Sequence, residues 1–205
     1  MRKRTFFVIA IALLVAMSFA AAQEEAASSP HSKMAHKQAG LSDAQYTAEA
    51  LSSAPKAIAK DAGVVRMDEN GKPRTLRESK NGFTCMIVAT DKMCNDANSM
   101  DFFSAMMGHK TPTDKLGVSY MLRGDSGASN TDPGAMKKTT DNHWVVTGPH
   151  IMITGAGAKS LGYTESPDPD PTKPYMMWAG TPYEHAMIPV AGGAASSKAA
   201  MAKKN

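Results

Sequence analysis

The chain has 205 residues, of which 42% are hydrophobic and 20% charged, with two cysteines and 16 methionines. Its 23 Lys and Arg against 19 Asp and Glu give a formal charge of +4. The surplus is terminal: without Arg2, Lys3, Arg4, Lys198, Lys203 and Lys204 the balance is 17 basic to 19 acidic. A nucleic-acid binder needs a basic face on its folded part, so that class is set aside.

Residues 1–22 carry Arg2, Lys3 and Arg4, an apolar run from Phe6 to Met17, and Ala20, Ala21 and Ala22. That is the form of a secretory signal peptide. The run is shorter than the ~20 residues a bilayer core requires, and no later stretch is apolar enough to span one. The expectation is a periplasmic or secreted protein with no integral membrane segment after cleavage. Residues 23–40 read as a flexible linker and 191–205 as a disordered tail. Residues 41–190 between them have the size of one domain with its own core.

Within that domain Ser42 caps a helix carrying Ala44, Ala48 and Leu51, and Pro55 breaks it from a second, short one ending at Gly63. VVRMDENGKPRTL predicts a hairpin turning at Asn70-Gly71, with Pro73 assigning the return strand to a sheet edge. GFTCMIVA is a strand. Cys85 and Cys94, with eight residues between them in an exported chain, predict a disulfide closing a small surface loop; their spacing is not that of a CxxC redox pair. NSMDFFSAMMGHK predicts a central helix with Met100, Phe103, Met106 and Met107 on one face and Gly108 as its stop. LGVSYMLRG is another strand, and GDSGASNTDPGAMKKTTDN a long polar loop. HWVVTGPHIMIT, PYMMWAG and YEHAMIPV supply a β-rich C-terminal half, interrupted by the extended SPDPDPTKP. Strands outnumber helices, so the fold class is α+β: a mainly antiparallel sheet with an N-terminal and a central helix.

Two strands share a pattern. Residues i and i+2 lie on one face of a strand. HIMIT therefore offers Ile151 and Ile153 on one face and His150 and Met152 on the other. HAMIPV likewise offers Ala186 and Ile188 on one face and His185 and Met187 on the other. The aliphatic faces are expected to meet a core. If the strands are neighbours in register, His150, Met152, His185 and Met187 converge. Imidazole with thioether is a soft ligand set, suited to Cu(I). Met34/His36 and Met107/His109 repeat the spacing.

Three functions compete for these residues. One is a binding module of unknown ligand, with copper the sharpest candidate. A hydrolase-like enzyme would centre on His150, Glu184 and His185, although Glu184 and His185, adjacent on a strand, point to opposite faces. The third is an envelope protein with no small ligand, its methionines filling the core as flexible thioethers do. There is no HExxH, no GxSxG and no phosphate loop, so no catalytic residue is assigned. The aromatics Trp144, Tyr163, Tyr175, Trp178 and Tyr183 either line a pocket or cap the core edge.

The segments NGFTCM at 81–86, TGPHIMI at 147–153 and KPYMMWAGTPYEHAMIPV at 173–190 resemble a family of uncharacterised exported bacterial proteins. The similarity spans about residues 55–190. It implies export and the domain's extent, and it carries over no catalytic or binding residue.

Overall fold

The structure, a computed structural model, describes residues 40–68 and 71–190. Residues 1–39, on which the expected signal peptide and most of the expected linker fall, residues 69–70 of the expected hairpin turn, and residues 191–205 of the expected tail lie outside the described residues.

Helix α1, Asp43–Leu51, begins where the sequence places it. Ser42 Oγ accepts from the Gln45 N–H at 3.2 Å while Gln45 Oε1 accepts from the Ser42 N–H at 2.9 Å, a reciprocal cap for two otherwise unpaired donors. After Pro55 comes a single turn, α2, Lys56–Ala59. Strand β1, Gly63–Met67, then pairs antiparallel with β2, Pro73–Arg77. Met67 faces Pro73, so the connection runs from Asp68 to Lys72 and is longer than a two-residue turn. Its Gly71, at φ 74°, donates to Asp68 O.

The remaining strands are β3, Thr84–Val88; β4, Asp91–Asn95; β5, Gly117–Met121; β6, Ala128–Ser129; β7, Trp144–Val145; β8, His150–Thr154; β9, Tyr175–Met177; and β10, His185–Pro189. Helix α3, Ala97–Met107, connects β4 to β5, and a 3-10 helix, Ala156–Leu161, follows β8. Eight strands form one sheet in the order β2-β1-β3-β4-β5-β8-β10-β9, and β6 with β7 forms a two-stranded ribbon. β1 and β3 run parallel, and the other neighbouring pairs are antiparallel. The mainly antiparallel sheet with a few helices is thus as expected.

Both faces of the sheet are covered. On one, Tyr46 and Ala50 of α1 pack on Val64, Cys85, Ile87 and Cys94, while Ala158 of the 3-10 helix packs with Met176 and Ala186. The Tyr46 hydroxyl donates to Val65 O at 3.1 Å and accepts from the Ile87 N–H at 2.9 Å. It therefore ties α1 to both members of the parallel pair. The other face carries a layer of methionines, Met86, Met93, Met121, Met152, Met177 and Met187, and meets α3, whose Met106 packs against it.

Three expectations change here. Cys85 and Cys94 are disulfide-bonded, but they face each other across β3 and β4 and are fully buried. The intervening residues complete β3, turn at Ala89 and Thr90 and begin β4, so the bond crosses core strands instead of closing a surface loop. The buried residues of α3 are Ser99 and Phe102, with Phe103 and Met106 half-buried and Met107 exposed. The helix is rotated from the predicted face because its first turn presses on Gly117, where a Cβ would lie 2.7 Å from both Ser99 Oγ and Thr154 Oγ1. Finally, the His-Met face of β8 is the deeper one, whereas on β10 His185, Ala186 and Met187 are all buried whichever face they point to. Ile151 and Ile153 are half-exposed while His150, Met152 and Thr154 are buried, since α3 covers the methionine side more completely.

Candidate functional site

β8 and β10 are neighbours, and their register sets Met187 directly opposite Met152. Their side chains share the face beneath α3. His150 faces Pro189 on β10 and Met121 on β5. Ala186 faces Ile153, so His185 falls level with Thr154. The two methionines therefore form the centre, and the histidines flank them at opposite ends, four residues apart in register.

Each histidine is oriented by the same local device. His150 Nδ1–H donates to Gly148 O at 2.7 Å and His185 Nδ1–H to Tyr183 O at 2.9 Å, in each case the carbonyl two residues earlier. A carbonyl only accepts, so the proton sits on Nδ1 and the Nε2 lone pair is left for another partner. Nε2 of His150 is buried and has no protein partner. Burial lowers the pKa of His150. It lowers that of His185 to about 4, with charge on His150 acting in the same direction. Both rings are neutral at physiological pH.

Their surroundings differ. The His185 ring lies 4.9 Å from that of Trp178, 5.7 Å from Phe102 and 6.3 Å from Phe103, an aromatic enclosure. Trp178 holds a left-handed backbone, φ 57°, which an aromatic residue rarely adopts. It is fixed there by its indole N–H on Ser129 O at 2.8 Å and its backbone N–H on Asn130 O at 2.9 Å. His150 instead lies among thioethers: Met152 on its own strand, Met121 opposite, and Met187 diagonally across. The structure thus gathers His150, Met152 and Met187, adds Met121, and sets His185 in a different environment.

Glu184 does not join them. Its Oε2 accepts from the Gly180 N–H at 3.0 Å and from Lys159 of the 3-10 helix at 3.5 Å, which places it toward the opposite face of the sheet. Among the described residues no three His, Cys, Asp or Glu side chains are grouped to hold a metal ion.

Two features lie outside the predicted site. Asp125 accepts from the Thr147 N–H at 2.8 Å and the Gly127 N–H at 3.1 Å. Burial, reinforced by the charge of Asp91, pushes its carboxyl up to about 7. Asn95 and Ser119, on the methionine face, are buried with polar atoms that have no protein partner. Met121 and Ser119 were within reach of strand parity, since alternation in GVSYM puts them on one side. Asn95 was not, because the polar DKMCN carries no strand pattern. Of the late aromatics, Tyr175 and Trp178 are buried in the methionine-face core with Tyr183 packed against it, and the Tyr175 hydroxyl lies 2.7 Å from Thr147 Oγ1.

In comparisons with known proteins the chain matches no family model, no curated protein and no solved structure.

Proposed function

We propose that this protein is an exported binding module, periplasmic or secreted, whose α+β domain holds a soft monovalent metal ion, Cu(I) in particular, on the His-Met face of its sheet. The observation that carries the reading is the direct opposition of Met152 and Met187 beside the unpartnered, buried Nε2 of His150. Nε2 would supply the nitrogen ligand and the two thioethers the sulfurs, with Met121 as a further donor. Thioethers and a neutral imidazole need no deprotonation, and soft sulfur selects Cu(I) over Zn(II), Mg(II) or Ca(II). A neutral ligand set in a dry layer also favours the ion of lowest charge. His185, neutral and enclosed by aromatics, keeps the far end of the site apolar.

Export is supported by the signal-type N-terminal sequence and by the disulfide, which fits an oxidising compartment. Among the described residues no helix is long and apolar enough to cross a membrane. The resemblance to exported bacterial proteins points the same way. The hydrolase reading loses its carboxylate, since Glu184 is engaged with Lys159 and the Gly180 N–H.

The test is a Cu(I) titration of the untagged protein against a chromophoric competitor, with a Met152→Leu/Met187→Leu variant beside it. Leu replaces Met with little change of volume and small cost to a core, so the variant isolates the thioethers. One-to-one binding weakened at least tenfold in the variant is the expected result. Binding that is absent from the wild type, or unchanged by the double substitution, returns the face to a purely structural role.

A further inference from the structure

The methionine face contains a second anomaly, independent of the metal. Asn95 on β4 and Ser119 on β5 stand directly opposite each other in the register, 1% and 0% exposed. Nδ2 and Oδ1 of Asn95 and Oγ of Ser119 all lack a hydrogen-bond partner within the protein. Neighbouring positions on the same face are Thr84 and Gly117 on one side and Met93, Met121 and Met152 on the other, the thioethers being suited to a dry core. Two adjoining buried polar side chains at the edge of a thioether layer cost stability unless something bonds to them. Nearby Ser99 and Thr154 do not meet that need, since their hydroxyls bond each other at 2.9 Å.

We propose that Asn95 and Ser119 form a binding site for a small uncharged guest that donates and accepts hydrogen bonds at once. The inventory sets its class. Asn95 presents one acceptor and a donor group side by side, and Ser119 a hydroxyl that serves either way. A guest with both functions, such as water, a simple carboxamide or urea, satisfies all three atoms. The guest is uncharged, because Asn95 and Ser119 are themselves neutral and would leave an ion bonded only to them unpaired in the interior. Ser119 also lies opposite Met152, so the guest sits beside the methionine pair.

The experiment is a high-resolution crystal structure of the full chain, grown with and without formamide, combined with thermal unfolding of Ser119→Ala and Asn95→Leu. Density within hydrogen-bonding distance of both side chains, and a Tm lowered by about 2–8 °C in each variant, is the expected outcome. Density that is the same in both crystals assigns the guest as water. Density enlarged by formamide, with a Tm that rises in its presence, assigns it as a solute. Should Asn95→Leu fail to fold, Ser119→Ala and the two crystal structures decide alone. No density at the pair, or variants as stable as the wild type or more so, overturns the proposal.

Discussion

His185 and Asp125 bias the stability of this protein in opposite directions over the same pH range. The folded state holds His185 at about 4 against an ordinary 6.5, because its enclosure admits only the neutral ring. Its contribution is therefore present above pH 6.5 and lost as pH falls toward 4. Asp125 is raised from 3.8 to about 7. Its contribution is present below pH 3.8 and lost as pH rises through 7. In the wild type the two trends offset each other. Asp125→Asn keeps an oxygen for the Thr147 N–H and removes the titration, so its urea midpoint should climb more steeply from pH 4 to 7 than that of the wild type. Parallel pH profiles for the two proteins would show that Asp125 titrates normally. The His-x-Met pattern that singled out His185 was plain in the sequence. Its aromatic enclosure was not, since Phe102 and Phe103 come from a helix 80 residues away in the chain.

At the scale of elements, the most sensitive contact is where α3 meets β5. Gly117 has no room for a side chain: an added Cβ would fall against the Ser99 backbone nitrogen and within 2.7 Å of two hydroxyls. Gly117→Ala should destabilise the fold by about 2–4 kcal/mol by forcing the helix off the sheet. Gly148→Ala, where nothing lies within 4 Å, should stay within about 0.5 kcal/mol. Equal denaturation midpoints for the two variants would contradict the close packing. The same contact explains what the sequence hid. Periodicity placed the α3 helix and its stop at Gly108, but neither the Asp96 cap that starts it nor its rotation. Burying a serine in place of Met100 makes sense only once Gly117 and Thr154 are beneath it. β4 escaped notice for a similar reason: its asparagine, lysine and aspartate are strand residues only because strands pair on both sides of it.

For the whole molecule, a local pairing such as β1–β2 could be anticipated, while the strand order could not. β8 reaches back to β5 past the β6–β7 ribbon, and β10 inserts between β8 and β9. Such long-range choices are set by which faces fit and leave no mark in a local pattern. The sheet ends on one side at β2, where Pro73, Arg74 and Arg77 discourage further strand pairing. On the other side Thr164 bridges β9. Between these edges lies the Cys85–Cys94 bond, with both cysteines fully shielded beneath α1. A thiolate must reach a sulfur to break a disulfide, and here it can do so only when α1 and the strands part. Reduction of the native protein should thus reach a plateau as external thiol is raised, with a rate equal to that of sheet opening measured by hydrogen exchange. A rate that keeps rising in proportion to thiol would mean the bond is reached without opening. With a plateau, the disulfide serves as a built-in clock, and each reduced molecule records one excursion of the central sheet.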